Sequence, residues 1–136
     1  VMDIYVTEYI LNEGASQGIL PESLEKERRT GTTQRENFRK AHTAGVKILF
    51  GTDAGVFPHG QNLRQLSRMV DWGMSEAEAL AAATILAAEQ LGQTGILGVI
   101  AVGAQADLVV LKDNPLEKIA TVEAPVAVFK AGRRID

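Results

Sequence analysis

Apolar and polar positions alternate through the first ten residues, VMDIYVTEYI, with Ile4, Val6 and Ile10 on one side of a two-residue period. Together with the β-branched and aromatic residues around them, this predicts a strand. The stretch NEGASQGILPES follows as a loop punctuated by Gly14, Gly18 and Pro21. From about Leu24 to Ala44 the chain becomes charged and helical in spacing, with Ser23 placed to cap it and Gly45 to stop it. Its centre, RTGTTQ, has weak helix propensity, so this is one helix or two with a break at Gly31. Val46 to Phe50 is a short apolar run read as a second strand. Asn62 can cap a helix in which Leu63, Leu66, Met69 and Val70 share a face and which Gly73 ends. Ser75-Glu76-Ala77-Glu78 is a capping box opening a helix to Leu91, before Gly92. Its small stretch Ala81-Ala82-Ala83 permits close packing.

The tail changes period. GVIAVG, ADLVVL and APVAVFKAGRRID read as short β segments separated by Gly, Pro and Asn turns, with Ala131-Gly132-Arg133-Arg134 as a hairpin tip or strand end. The order is therefore strand, helix, strand, helix pair, then a small β piece, with a boundary between Thr94 and Leu97. The first part predicts parallel α/β structure and the second a separate β unit.

Composition narrows the function classes. With 136 residues the chain can bury a core, and 46% hydrophobic with 23% charged residues is ordinary for a globular domain. A net charge of -3 gives no reason to expect nucleic acid. The absence of cysteine removes disulfides and thiolate metal sites and leans towards the cytoplasm, with export left open. No run approaches a membrane span, and VMDIYVTEYI has no basic segment of the kind that precedes a signal peptide's apolar core. Starting at Val1 inside a predicted element, the chain reads as processed or as a piece of something longer.

Candidate chemistry centres on ILFGTDAGVFPHG, residues 48–60, where an apolar run ends on a carboxylate flanked by Gly51 and Gly55. Asp53 can be an ordinary turn or helix-cap aspartate. It can equally be a carboxylate at the C-terminal end of a barrel strand, where active sites lie, binding a metal or accepting a proton. His59, six residues on, is a substrate-side candidate or a plain loop histidine. His42 reads as structural. Lys26, Arg28, Arg29, Arg35, Arg39 and Lys40 are interspersed with acids and read as a solvated helix face rather than a polyanion patch. Two histidines and no cysteine are too few for a complete two-metal centre.

Three stretches, QRENFRKAHTAGVKILFGTDAGVFPHGQN, MVDWGMSEAEALAAAT and the GxxxxGxxADLVVL segment with its following DNPL, resemble in order and spacing the C-terminal part of the metal-dependent hydrolases of the amidohydrolase superfamily. The first is most similar to the imidazolonepropionase-like and Xaa-Pro dipeptidase-like branch. The resemblance implies a (β/α)8 barrel with a β-sandwich built from both chain ends. VMDIYV would be its seventh strand and KILFGTD its eighth. Residues 1–95 would close the barrel, and residues 96–136 would give the C-terminal strands of the sandwich. It also implies that Asp53 binds a divalent metal and shuttles a proton from the attacking hydroxide to the leaving nitrogen, while the loop carrying His59 borders the substrate. Two departures stand out. Ala83-Thr84-Ile85-Leu86 replaces the family's ATxN, and Ala104 stands where a lysine follows the glycine before ADLV.

The expected activity is hydrolysis of an amide-type C–N bond in a dipeptide, N-acyl amino acid or cyclic amide. The implied cofactor is zinc, one or two ions in the longer enzyme and none held tightly by this chain alone. The isolated chain is then expected to be inactive. Expected partners are a small-molecule substrate and the upstream part of the same protein, with homo-oligomerisation allowed, and without nucleic acid or membrane. The alternatives are a non-catalytic interaction module and a fragment completing a barrel with another chain.

Overall fold

Residues 2–10 do not form the expected strand. In the computed structural model, which describes residues 2–135, helix α1 spans Tyr5–Glu13. Ile4, Val6 and Ile10 satisfy an alternating period, but burial follows a helical one: Tyr5, Val6 and Tyr9 face a core that also contains Phe57. Tyr5 meets Phe57 edge-on with ring centroids 4.9 Å apart, and Tyr9 lies 5.9 Å from the same ring. These contacts with a distant residue outweigh the local β propensity.

Helix α2 spans Pro21–Thr43 without a break. Its N-cap is Leu20 rather than Ser23, with Pro21 in the first turn, where a missing N–H costs nothing. Gly31 is buried at mid-helix because α1 passes over it: a Cβ there would lie 2.3 Å from Thr7 Cγ2. The weak propensity that predicted a break thus buys a close helix crossing. The C-terminus stops as expected. Gly45, at φ +74°, donates to His42 O at 2.9 Å while Val46 N donates to Ala41 O at 3.0 Å, a Schellman motif.

Residues 46–53 form neither helix nor strand; Ile48 among them is buried, and the segment pairs with no strand among the described residues. The expected strand Val46–Phe50 therefore has no ladder here. Helix α3, Arg64–Asp71, is capped by Leu63, not Asn62, whose amide instead donates to Thr52 Oγ1 at 3.3 Å. These elements make up the first of two compact units, Val1–Met74. Ile4, Phe38, Leu66 and Met69 are among its most deeply buried side chains.

The second unit, Ser75–Asp136, opens with the predicted capping box. Ser75 Oγ accepts from Glu78 N at 3.3 Å, and Glu78 Oε2 accepts from Ser75 N at 2.7 Å. The single helix expected to reach Leu91 divides at Thr84 into α4, Glu76–Ala83, and α5, Ile85–Gln90. The Thr84 hydroxyl donates back to Leu80 O at 2.6 Å, and Gly98 packs so tightly on the break that a Cβ there would lie 2.6 Å from the Thr84 carbonyl. GVIAVG, expected as a strand, forms turns with Ile100 and Val102 exposed. An antiparallel sheet follows in the order β1, Leu108–Val110, β2, Ala127–Lys130, and β3, Arg133–Arg134. Leu108 pairs with Phe129 and Lys130 with Arg133. The hairpin tip is Ala131-Gly132, both at positive φ, as the twist of a two-residue hairpin requires. No helix among the described residues is long and apolar enough to cross a membrane.

Candidate active-site loop

Phe57 anchors the loop that carries Asp53 and His59. Its ring is buried between Tyr5 and Tyr9, and Ala54 packs against the same cluster. The loop's far end is fixed by two glutamines one helical turn apart. Gln61 Oε1 accepts from the Tyr5 hydroxyl at 2.7 Å. Gln65, fully buried, accepts from Ile4 N at 3.0 Å and Tyr5 N at 2.8 Å, and its Nε2 donates to Met2 O at 2.7 Å. One side chain thus satisfies the otherwise unpartnered donors at the start of α1 and joins α3 to the segment before it. The sequence reading missed both glutamines. The available signal was their i, i+4 spacing beside the apolar Leu66 and Met69.

Within this frame Asp53 is exposed and sits at φ +46°, a left-handed conformation that aspartate tolerates better than most residues. Asp3, fifty residues earlier, lies within its electrostatic reach. Burial raises the Asp3 carboxyl above its ordinary value of 3.8, against a backbone hydrogen bond that lowers it, and the negative charges of Asp53 and Glu27 raise it further. Glu27 also accepts from the Thr7 hydroxyl, at 3.1 Å.

His59 is exposed on the same loop. It does not line the cleft of about 290 Å³ between α1 and residues 58–64, although its neighbour Pro58 does. The structure places Asp53 and His59 on one loop, both exposed. His42 is half-buried in the last turn of α2, in keeping with a structural role. Asp53, an exposed oxygen donor, fits a divalent cation as one ligand. A full set is lacking: among the described residues no three His, Cys, Asp or Glu side chains are grouped to hold a metal.

Residues 4–135 match the model of the amidohydrolase family. Over 122 residues the chain is 34% identical to ochratoxinase of Aspergillus niger, a match covering 86% of this chain and 25% of that protein. It superposes with a TM-score of 0.86 and 36% identity on a Xaa-Pro dipeptidase with methionine bound in its active site, over 98% of this chain and 33% of that one. A prolidase in complex with N-methylphosphonate-L-proline gives a TM-score of 0.88 at 35% identity, over 98% and 34%. The chain spans about a quarter to a third of the length of these relatives. With its family match extending over nearly every residue, and a mixed helix and sheet fold shared with these hydrolases, the chain belongs to the amidohydrolase family.

Proposed function

We propose that these 136 residues are the C-terminal portion of a hydrolase that cleaves an amide-type C–N bond in a dipeptide, N-acyl amino acid or cyclic amide. Residues 1–95 would close a (β/α)8 barrel, with residues 47–53 as its last strand, and residues 96–136 would contribute strands to a sandwich. The exposed apolar side chains Ile100, Val102 and Val109 support this reading, since such surfaces favour further polypeptide. The observation that carries it is Asp53: an exposed carboxylate in left-handed backbone at the end of an apolar segment, on a loop clamped at both ends.

In this mechanism the Asp53 carboxylate takes the proton of the attacking water and passes it to the leaving nitrogen, turning a poor leaving group into a neutral amine. His59, on the same loop, would contact substrate. Asp53 would be one ligand of a divalent ion, with zinc as our expectation. When bound, such an ion lowers the pKa of water towards neutrality and polarises the amide carbonyl. The other ligands would come from outside these residues. The test is Asp53→Asn in the protein extended to the length of its relatives. Turnover should fall about 10²–10⁴-fold. Near wild-type turnover with metal still bound refutes the assignment.

The exposed apolar surface of the second unit equally suits an interaction module without catalysis, or a fragment completing a barrel with another chain. Metal analysis and turnover discriminate. Under the hydrolase reading, both appear when upstream sequence is restored in one polypeptide. If that polypeptide stays metal-free and inactive, the module reading replaces it.

A further inference from the structure

The loop that carries Asp53 and His59 is joined at its base by two of its own side chains. Asn62 stands where a cap for α3 is expected, yet its amide donates to Thr52 Oγ1 at 3.3 Å, and Leu63, the N-cap, makes no side-chain cap bond. An asparagine at a helix start ordinarily serves the helix, and that use stabilises it. Here the amide goes instead to the residue immediately before Asp53. Both partners are half-buried, so water competes less for the bond.

Other features of the loop leave Asp53 itself unheld. Its side chain is exposed, so packing does not fix it. A Cβ at Gly55 or Gly60 would meet nothing within 4 Å, so neither glycine is pressed against a neighbour. Phe57, packed with Tyr5 and Tyr9, and Gln61, bonded to the Tyr5 hydroxyl, anchor later parts of the loop. Asp53 nevertheless sits at φ +46°, a conformation that a residue with a Cβ keeps only where its surroundings hold it. Thr52 is one peptide bond away, and pinning it fixes the peptide that leads into Asp53.

We infer that Asn62 is a positioning residue: through the Thr52 hydroxyl it keeps Asp53 in left-handed backbone and sets the direction of its carboxylate. This rests on the reading of Asp53 as the proton carrier. A carboxylate that takes a proton from water and gives it to nitrogen must reach both at hydrogen-bond distance. Misplacing such a group by about 1 Å can cost about 10²-fold in rate. Loss of the clasp therefore acts on the chemical step, lowering kcat with little change in KM.

The test is a double-variant cycle in the protein extended to the length of its relatives, with Asp53→Asn alongside. Asn62→Ala, and Thr52→Val, which keeps the shape but lacks the hydroxyl, should each lower kcat about tenfold and leave KM within about twofold. The double variant should be no worse than either single one, because both remove the same bond. Thr52→Ser keeps the acceptor and should recover most of the turnover. A second readout needs neither metal nor substrate: backbone order parameters of the 136-residue chain by NMR relaxation. Asp53 should be rigid in the parent, at about 0.85, and fall towards about 0.6 in Asn62→Ala and Thr52→Val, with Phe57 unchanged. Asn62 gives α3 no cap bond, so Asn62→Ala leaves that helix in place. Additive losses in the double variant, a loss confined to KM, or an Asp53 order parameter unaltered by Asn62→Ala overturns the proposal. If Asp53→Asn abolishes turnover while Asn62→Ala retains it, the positioning role alone fails. If Asp53→Asn itself retains turnover, the proton-carrier reading fails and takes this role with it.

Discussion

Two aspartates in this chain each sit beside an apolar run, and the structure uses them oppositely. Asp107 precedes β1 and is clasped by three donors. Ala131 N donates to its Oδ1 at 2.8 Å, Gln105 Nε2 donates to its Oδ2 at 2.9 Å, and Lys130 pairs with it. It secures the hairpin tip at Ala131-Gly132. Asp53 follows an apolar run and stands exposed in left-handed backbone, its charge adding only to the burial that raises Asp3. A carboxylate wrapped by donors is committed to structure. One held out on a clamped loop is available to chemistry. The sequence reading weighed these two roles for Asp53, and Asp107 shows what the structural role looks like in the same molecule.

The sharpest way to break this contrast is to exchange each carboxylate for an amide and compare two readouts. Asp53→Asn should leave the chain's unfolding free energy within about 0.5 kcal/mol, since asparagine also accepts left-handed backbone. In the extended protein it should nevertheless produce the loss of turnover described above. Asp107→Asn should do the reverse, weakening the second unit while sparing turnover. If Asp53→Asn unfolds the chain, Asp53 is structural and the contrast fails.

The loop's availability depends on its clamps. Gln65→Leu keeps an apolar side chain of similar size but leaves Ile4 N, Tyr5 N and Met2 O without their partner. Each buried unsatisfied group costs about 1–3 kcal/mol, partly relieved where water can enter, so a total near 3 kcal/mol is expected in denaturant unfolding. A loss below about 1 kcal/mol would show that the clamp is dispensable.

A smaller effect is expected at the helix crossing. Gly31→Ala improves helix propensity by about 1 kcal/mol but places a Cβ 2.3 Å from Thr7 Cγ2. Overpacking of this kind costs about 1–3 kcal/mol, so the net change should be destabilising. Adding Thr7→Ser removes the clashing methyl and keeps the hydroxyl that donates to Gln34 Oε1 at 2.7 Å, and should recover most of the loss. A stabilised Gly31→Ala chain would mean that the two helices can separate freely.

These sites also show where local sequence is informative. The Ser75–Glu78 box, the Gly45 stop and the Ala131-Gly132 tip were legible because their partners lie within a few residues. The helical state of α1 was not, because Ile4, Val6 and Ile10 fit either period and the deciding contact is with Phe57. Continuity of α2 through Gly31 depends on Thr7, and the break at Thr84 accommodates Gly98. In the candidate site, Asp53 and its loop stood out through their glycines and the apolar run. Asp3, Gln61 and Gln65 did not, since each acts on a residue more than forty positions away.

The smallest effect belongs to Asp107, and pH gives it a sign. The Lys130 ammonium first, then the Ala131 amide and the Gln105 side chain, lower its carboxyl from 3.8 to about 2. The folded state therefore favours the ionised form more than the unfolded chain does. That contribution is fully present above the unfolded value of 3.8 and disappears as pH falls through about 2. Asp107→Asn cannot ionise, so the stability gap between it and the parent should be constant near neutrality, narrow between 3.8 and about 2, and close below that. Because the pair is solvent-exposed, added salt should shrink the gap near neutrality as well. A gap that persists unchanged in strong acid would show that Asp107 holds the hairpin through its shape and hydrogen bonds alone, and its contrast with Asp53 would then rest on geometry rather than on charge.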